Sequence, residues 1–482
     1  MTWVRVSLLS GAVIAGAAFT PPRMTWHSCE LPGAAGLSPR CGTLQVFENR
    51  AAKTGRTIGL NVVVIPASGA KAAPDPVFWL EGGPGAAATQ AIGPVTQQYF
   101  KGIRDDHDLV FVDQRGTGQS NPLKCDDIGE NPANIDRYFG PLFPIELIRA
   151  CRHKLEAVAD LKQYTTTIAA DDLDDVRAAL GYPTINLAGA SYGTLAAEVY
   201  IRRYPKRVRA AFLIGTVPPG FRLPLPFAKA SQNAFDLMAA DCAADAACQS
   251  SFPNLKSEFD TVLSRFARGA MSVQMIDPAT GQPRTVRLER ENYVERLRAL
   301  LYSTGGARFV PLVVHRAFLN DFEAFQTMAA RYNLGGPATS RGMYFSVTCA
   351  ESAPFISEQD IVAETRNTFL GDRRVRAHLA ACRDWPAGEV PGAFIEPIAS
   401  RVPVIMFAGE ADGSTPPWFA EAVARRLPNG RVIKAPHTGH QIDGPCTWNL
   451  MQSFIRNPSP SHLDAACVDG AHRPPFATEL PK

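Results

Sequence analysis

Two kinds of hydrophobic pattern divide this chain. Residues 43–48 alternate apolar and polar positions, and residues 57–64 are mostly apolar. They predict two strands, and the Ala51-Ala52-Lys53-Thr54-Gly55-Arg56 segment between them supplies the turn of an antiparallel hairpin. Residues 76–80 and 108–112 are short apolar runs that predict buried strands. Residues 168–180 carry apolar positions at helical spacing. The acidic residues of that helix, Asp171, Asp172, Asp174 and Asp175, read as a solvated face near its start and not as a metal site. A strand from residue 184, a helix over 195–201 and a strand over 209–215 follow.

From about residue 218 to 400 this alternation stops. Apolar residues recur at helical spacing, as in Tyr293, Leu297, Leu300 and Leu301, between Pro and Gly breaks. This predicts a mostly helical cap or lid. The alternation resumes with a strand at 402–409, a helix at 418–427, a strand at 431–434 and a helix at 448–455. The expected class is therefore α/β, with a mostly parallel sheet covered by helices on both faces. The expected division is a signal peptide and leader (1–23), a first core segment (24–217), the cap (218–400) and a second core segment (401–482).

Composition narrows this picture. With 46% hydrophobic and 20% charged residues, the 482-residue chain can bury a large core. A formal net charge of +3 gives no reason to expect nucleic acid or an anionic membrane as a partner. The N-terminus combines Arg5, an apolar run over 6–19 and small residues suited to cleavage, which predicts a secretory signal and a secreted or periplasmic protein without membrane association after its removal. Ten cysteines agree with an oxidising compartment. The simplest pairing joins near neighbours: Cys29 with Cys41, Cys125 with Cys151, Cys242 with Cys248, Cys349 with Cys382 and Cys446 with Cys467. None has zinc-ligand spacing, so no metal is expected.

The candidate chemistry centres on Gly189-Ala190-Ser191-Tyr192-Gly193. It fits G-x-S-x-G between a strand and a helix, the context of a nucleophile elbow. A serine hydroxyl needs a base, and the base an orienting carboxylate. Asp412 and His440 follow late strands in the required chain order. Glu410 and His437 compete for these roles, and loop position favours Asp412 and His440; Gly439 allows a sharp turn before the histidine. An oxyanion needs two N–H donors. The backbone of Tyr192 supplies one. Gly83, in Gly82-Gly83-Pro84-Gly85, is chosen for the other because Pro84 has no N–H. The segment 113–120, Asp-Gln-Arg-Gly-Thr-Gly-Gln-Ser, lacks the spacing of a nucleotide fingerprint and reads as a structural loop.

These segments together resemble the α/β-hydrolase fold, and more narrowly the proline iminopeptidase and secreted tripeptidyl aminopeptidase group. The resemblance also covers residues 347–351, 382–386 and the last two cysteines, so it spans about Cys41 to Cys467. It implies release of an N-terminal residue or short peptide through an acyl-enzyme, without metal or cofactor. Glu81 stands where many members of the group carry His. An aminopeptidase needs negative charge for the substrate ammonium, and Glu351 is the candidate, against the alternative of an exposed surface carboxylate. Carboxylesterases and other acyl hydrolases use the same triad on the same fold, so a peptide or small acyl substrate is expected. A non-catalytic binding module is the remaining alternative, and the complete set of catalytic parts argues against it.

Overall fold

A computed structural model describes residues 23–31, 36–128, 131–333, 339–442 and 444–481. The expected leader lies outside the described residues except for Arg23. A nine-stranded sheet organises the molecule. Its strands in chain order are β1 (Thr25–His27), β2 (Arg40–Phe47), β3 (Thr57–Ile65), β4 (Val77–Leu80), β5 (Leu109–Val112), β6 (Ile185–Ala190), β7 (Val208–Ile214), β10 (Val404–Gly409) and β11 (Gly430–Ala435); β8 (Met271–Ile276) and β9 (Pro283–Leu288) form a separate hairpin. Their spatial order is β1-β2-β3-β5-β4-β6-β7-β10-β11. The first three strands and the β3–β5 contact are antiparallel. Every pairing from β5 through β11 is parallel.

Side-chain alternation explains why the central strands read as continuous apolar runs. In β4, Phe78 and Leu80 enter the core on one face, whereas Val77 and Trp79 enter the core on the other. In β10, Val404, Met406 and Ala408 face the first core, and Ile405 and Phe407 the second. Both faces are buried, so the polar half of the strand period disappears. The helices Thr166–Ala179, Tyr192–Arg203 and Pro417–Ala424 contribute to the first core, and Pro445–Arg456 to the second.

Between β7 and β10 the chain builds a body with its own hydrophobic core, which includes Phe235, Phe259, Tyr293, Val313 and Phe325. It is mostly helical, as the periodicity implies. The β8–β9 hairpin is an addition to that expectation. Its outer positions include Ser272, Gln274, Thr285 and Arg287, and the turn Asp277-Pro278-Ala279-Thr280-Gly281-Gln282 joins its strands, but the flanking helical pattern masks it. The helix Ile145–Glu156 is a second addition, in the stretch between the strand at 108–112 and the helix at 168–180 to which the periodicity assigns no element.

The acidic helix departs from the sequence reading. Asp172 is buried and accepts two hydrogen bonds from Arg115, from Nε at 2.6 Å and Nη2 at 2.8 Å. Asp171 pairs with Arg203, Asp174 with Arg177 and Asp175 with Arg50. The carboxylates dock neighbouring elements instead of facing water. Arg115 also donates to the carbonyls of Glu48 and Gln163, so its loop is a buried clamp. In the same loop, Asp113 accepts from the Thr89 backbone, the Asn61 side chain and the Gln119 backbone. This braces the turn after Gly82-Gly83-Pro84-Gly85, the structural role expected of residues 113–120. All five near-neighbour cysteine pairs are disulfides.

Candidate active site

Ser191 sits between β6 and the helix Tyr192–Arg203, at φ 54° and ψ −126°. A non-glycine residue held at positive φ is strained, and such strain persists only where the surroundings impose it. Here the imposing contacts are close backbone approaches. A Cβ on Gly193 would lie 2.1 Å from the carbonyl oxygen of Leu80, and one on Gly82 would lie 3.1 Å from Ser191 Cβ. The Ser191 N–H donates to the carbonyl of Ile214 at 2.8 Å, which fixes the turn against the end of β7.

The loops after β10 and β11 bring Asp412 and His440 together. His440 Nδ1 lies 2.7 Å from Asp412 Oδ2. Both residues are buried, with 7% and 0% of their surface exposed. Asp412 is held from several sides. Its Oδ1 accepts from the backbone N–H groups of Ser414 and Thr415 at 2.7 and 2.8 Å, and its Oδ2 from Thr415 Oγ1 at 2.7 Å. Burial alone would raise this carboxyl, but His440 and the Thr415 hydrogen bonds outweigh it and hold the group below the usual carboxylate range. Next to Ile214, Gly215 backs the imidazole: a Cβ there would lie 3.0 Å from His440 Cε1. The end of β7 thus contacts both Ser191 and His440.

Of the competing residues, His437 stands away from this pair. His437 is exposed and pairs with Asp241 at 3.0 Å. The backbone N–H of Glu410 bonds to Ala435, which continues the strand register at the end of β10. The left-handed residue of the histidine turn is His437, at φ 54°, not Gly439. Gly439 serves close packing instead, since a Cβ there would lie 2.9 Å from the carbonyl oxygen of Tyr302.

Glu81 explains which glycine is available as a donor. One carboxylate oxygen accepts from Trp79 Nε1 at 2.8 Å and the other from the Gly82 N–H at 3.0 Å. The Gly82 N–H is therefore occupied and Pro84 has none, which leaves Gly83 at the cavity wall. Tyr192 is the first residue of its helix, where a backbone N–H has no intrahelical partner.

Gly83, Ser191, Tyr192 and Glu351 line one cavity of about 190 Å³. Glu351 ends the helix Arg341–Glu351 and is only 3% exposed. It is not the surface carboxylate that its residue type favours. Its two oxygens accept from the backbone N–H and the hydroxyl of Thr166, at 2.6 and 2.7 Å. Burial pushes its carboxyl up to about 7, against the lowering effect of those bonds. The Thr166 hydroxyl is also 2.7 Å from the Tyr192 hydroxyl, so the carboxylate is tied to the residue beside Ser191. Leu195, Val217, Phe221 and Leu223 supply an apolar part of the wall.

The sequence reading missed three residues of this site. Thr415 lies three positions after Asp412, a spacing that suits a hydroxyl bonding back to a turn carboxylate. Thr166 reads only as a helix start. Tyr302 comes from the insertion, where no motif marks it; its ring lies against His440 with centroids 4.4 Å apart.

This chain is similar to known proteins to different extents. A family model described as alpha/beta hydrolase fold matches residues 75–442. "Serine protease Hip1" of Mycobacterium tuberculosis is 26% identical over 472 residues, covering 88% of this chain and 85% of that protein. "Tripeptidyl aminopeptidase" of Streptomyces lividans is 28% identical over 222 residues, covering 43% of this chain and 41% of that protein. Among solved structures, the proline iminopeptidase of Mycobacterium smegmatis is 16% identical with a TM-score of 0.40, covering 89% of this chain and 96% of that one.

Proposed function

This chain belongs to the α/β-hydrolase fold family, and we propose that it is a serine aminopeptidase, with Ser191 as nucleophile, His440 as base and Asp412 as the carboxylate that orients the base. The observation that carries the peptidase reading is Glu351: a buried carboxyl in the cavity that holds Ser191. A buried acid without a fixed cation is costly to keep charged. A substrate ammonium would supply that cation and favour the ionised form. The relatives named serine protease and tripeptidyl aminopeptidase support the same reading.

In this mechanism, Ser191 Oγ attacks the scissile carbonyl carbon as His440 Nε2 takes its proton. Asp412 holds Nδ1–H and stabilises the imidazolium. The Gly83 and Tyr192 N–H groups receive the oxyanion. The C–N bond then breaks, and the leaving amine takes the proton from His440. Water, deprotonated by His440, attacks the acyl carbon and releases the N-terminal product, and Ser191 recovers its proton. The Glu351 carboxylate anchors the free N-terminus, which sets how much of the chain lies on the acyl side. Access through a cap restricts the substrate to short or frayed N-termini.

The apolar wall around Leu195, Val217, Phe221 and Leu223 favours a second reading, a carboxylesterase acting through the same triad. The test is hydrolysis of free-amino prolyl, alanyl and tripeptidyl anilides and of a short-chain ester, by wild type and Ser191→Ala. The aminopeptidase reading expects anilide turnover that falls by roughly 10⁶-fold in the variant when chemistry limits the rate. Turnover of the ester alone would leave the esterase reading in its place, and a Ser191→Ala enzyme near wild-type rate would remove Ser191 from both.

A further inference from the structure

The helix Arg341–Glu351 turns one face to the cavity that holds Ser191: Arg341, Tyr344, Val347, Thr348 and Glu351 all line it. Steps of three and four residues place them on one stripe. The ends of this stripe carry opposite charges. Each is set against the helix dipole, which disfavours a cation in the first turn and an anion in the last, so the stability of the helix does not explain them. Two more arginines, Arg298 and Arg374, line the same cavity. They converge on one carboxylate oxygen: Glu295 Oε2 accepts from Arg374 Nη1 at 2.5 Å and from Arg298 Nε at 3.1 Å. Both also lie against the ring of Phe227, with the Cζ of Arg298 4.8 Å and that of Arg374 5.3 Å from its centroid. Arg341, Tyr344 and Arg374 border a second, smaller cavity as well, so the cationic groups gather at the Arg341 end of the stripe. At that end the Tyr344 hydroxyl is buried, with no hydrogen-bond partner among the described residues.

We propose that this end of the cavity is a carboxylate subsite, in which Arg298, Arg341 and Arg374 supply the positive charge and Tyr344 a hydrogen bond, and that the preferred substrates are short peptides presenting a carboxylate there. This subsite rests on the aminopeptidase reading, which seats the free N-terminus at Glu351. A guanidinium presents its N–H donors in a planar fork that matches a carboxylate. Glu295 and Phe227 hold Arg298 and Arg374 in place before substrate arrives, so ordering them adds little to the cost of binding. A buried hydroxyl without a partner is unfavourable, and a substrate carboxylate oxygen supplies the missing acceptor. Burial raises the Tyr344 phenol above its ordinary value, so the hydroxyl keeps the proton that it donates. Arg341 and Glu351 stand at the two ends of an 11-residue helix, about 15 Å apart along its axis. An extended peptide advances about 3.4 Å per residue, so roughly three to five residues bridge the two ends. The carboxylate comes from an acidic side chain or from the peptide's own C-terminus, and the same donors serve both. The hydrolysis itself is unchanged; the subsite selects which peptides Ser191 meets.

The experiment compares kcat/KM within two pairs of free-amino tetrapeptides, followed by the release of new amino groups. In the first pair, tetraalanine with a free C-terminus is set against its C-terminal amide. In the second, the amide with glutamate at its third or fourth position is set against the all-alanine amide. The proposal expects the charged member to lead by about 10- to 100-fold in at least one pair, as a charge-assisted contact implies. A lead in the first pair assigns the C-terminus to the subsite, and a lead in the second assigns the side chain. In Arg341→Gln that lead should shrink by at least about fivefold, and in Tyr344→Phe, which keeps the ring and loses one neutral donor, by about two- to fivefold. Thermal unfolding of the same preparations establishes that the variants are folded. A wild-type enzyme with no lead in either pair overturns the subsite, as does a lead that both variants leave intact. Failure of the aminopeptidase reading looks different: N-acetylated tetrapeptides are then cleaved as fast as free-amino ones, or only a short ester is hydrolysed. In that event the same pairs are compared as inhibitors of ester hydrolysis, and equal inhibition within each pair overturns the subsite by itself.

Discussion

At the scale of single residues, the account rests on which of two near neighbours holds each role. His440 is buried against Asp412, and His437 is exposed against Asp241. His440→Ala should lower kcat nearly as far as Ser191→Ala, whereas His437→Ala should change it by less than about threefold, since removing an exposed ion pair costs little. Steady-state kinetics on one anilide checks both, and the reverse order would move the base to His437. Glu351 gives a second residue-scale prediction. Its carboxyl titrates at about 7. Below that pH it is neutral and offers no charge to an ammonium; above it the anion is present. A substrate α-amino group loses its proton near about 8. The specificity constant for free-amino substrates should therefore rise through pH 7 and fall again above 8. Glu351→Gln, measured over the same range, should lose the part of the rise that N-blocked substrates do not share. Identical profiles for the two enzymes would detach Glu351 from substrate recognition. The sequence could nominate this residue but not its burial, because burial comes from Thr166 and the cap helix meeting across 185 positions of chain.

At the scale of elements, the apolar runs located the strands well because β4, β5, β6, β7 and β10 are buried on both faces. Such strands carry their identity locally. The elements read wrongly depend on distant partners. The acidic helix Thr166–Ala179 has the composition of a solvated face, yet Arg115, Arg203 and Arg50 from other segments meet its carboxylates. No local pattern encodes those pairings. They imply a stability effect: Asp172→Ala leaves the buried Arg115 guanidinium without its bidentate carboxylate and should destabilise the fold by about 3–5 kcal/mol. Denaturant unfolding measures this, and a loss below about 1 kcal/mol would mean that water or another group replaces the carboxylate. The Glu48 and Gln163 carbonyls would still hold the Arg115 side chain, so the folded variant should retain most of its kcat.

At the scale of the whole molecule, the architecture divides labour between the sheet, with a core on each face, and an insertion with a core of its own. The sheet presents Ser191, Asp412 and His440 at the carboxyl ends of its parallel strands, where open α/β sheets place their sites. The insertion adds Tyr302, which follows the helix Arg290–Leu301 of its separate core, and Glu351, whose helix Arg341–Glu351 packs Met343, Phe345 and Val347 into the first core of the sheet. It also touches the glycine-rich loop, where the Ser340 N–H donates to the Gly85 carbonyl at 2.9 Å. The disulfide between Cys349 and Cys382 joins the helix that carries Glu351 to the helix Arg373–Cys382. Loss of that bond, in a Cys349→Ser, Cys382→Ser double variant, should cost about 2–4 kcal/mol and raise KM for free-amino substrates more than for a short ester. Equal effects on both would show that the bond supports the fold without setting the position of Glu351. Five disulfides fit an oxidising compartment, and among the described residues no helix is long and apolar enough to cross a membrane.

The central claim is that one cavity joins a serine nucleophile to a carboxylate that reads a free N-terminus. The most direct test is the ratio of kcat/KM for a free-amino tripeptidyl anilide to that for its N-acetylated form, in wild type and in Glu351→Gln. The account predicts a ratio above about 100 in wild type that falls at least tenfold in the variant, as expected when a buried charge-assisted contact is lost. A wild-type enzyme that cleaves both substrates equally, or a ratio that Glu351→Gln leaves unchanged, would contradict it.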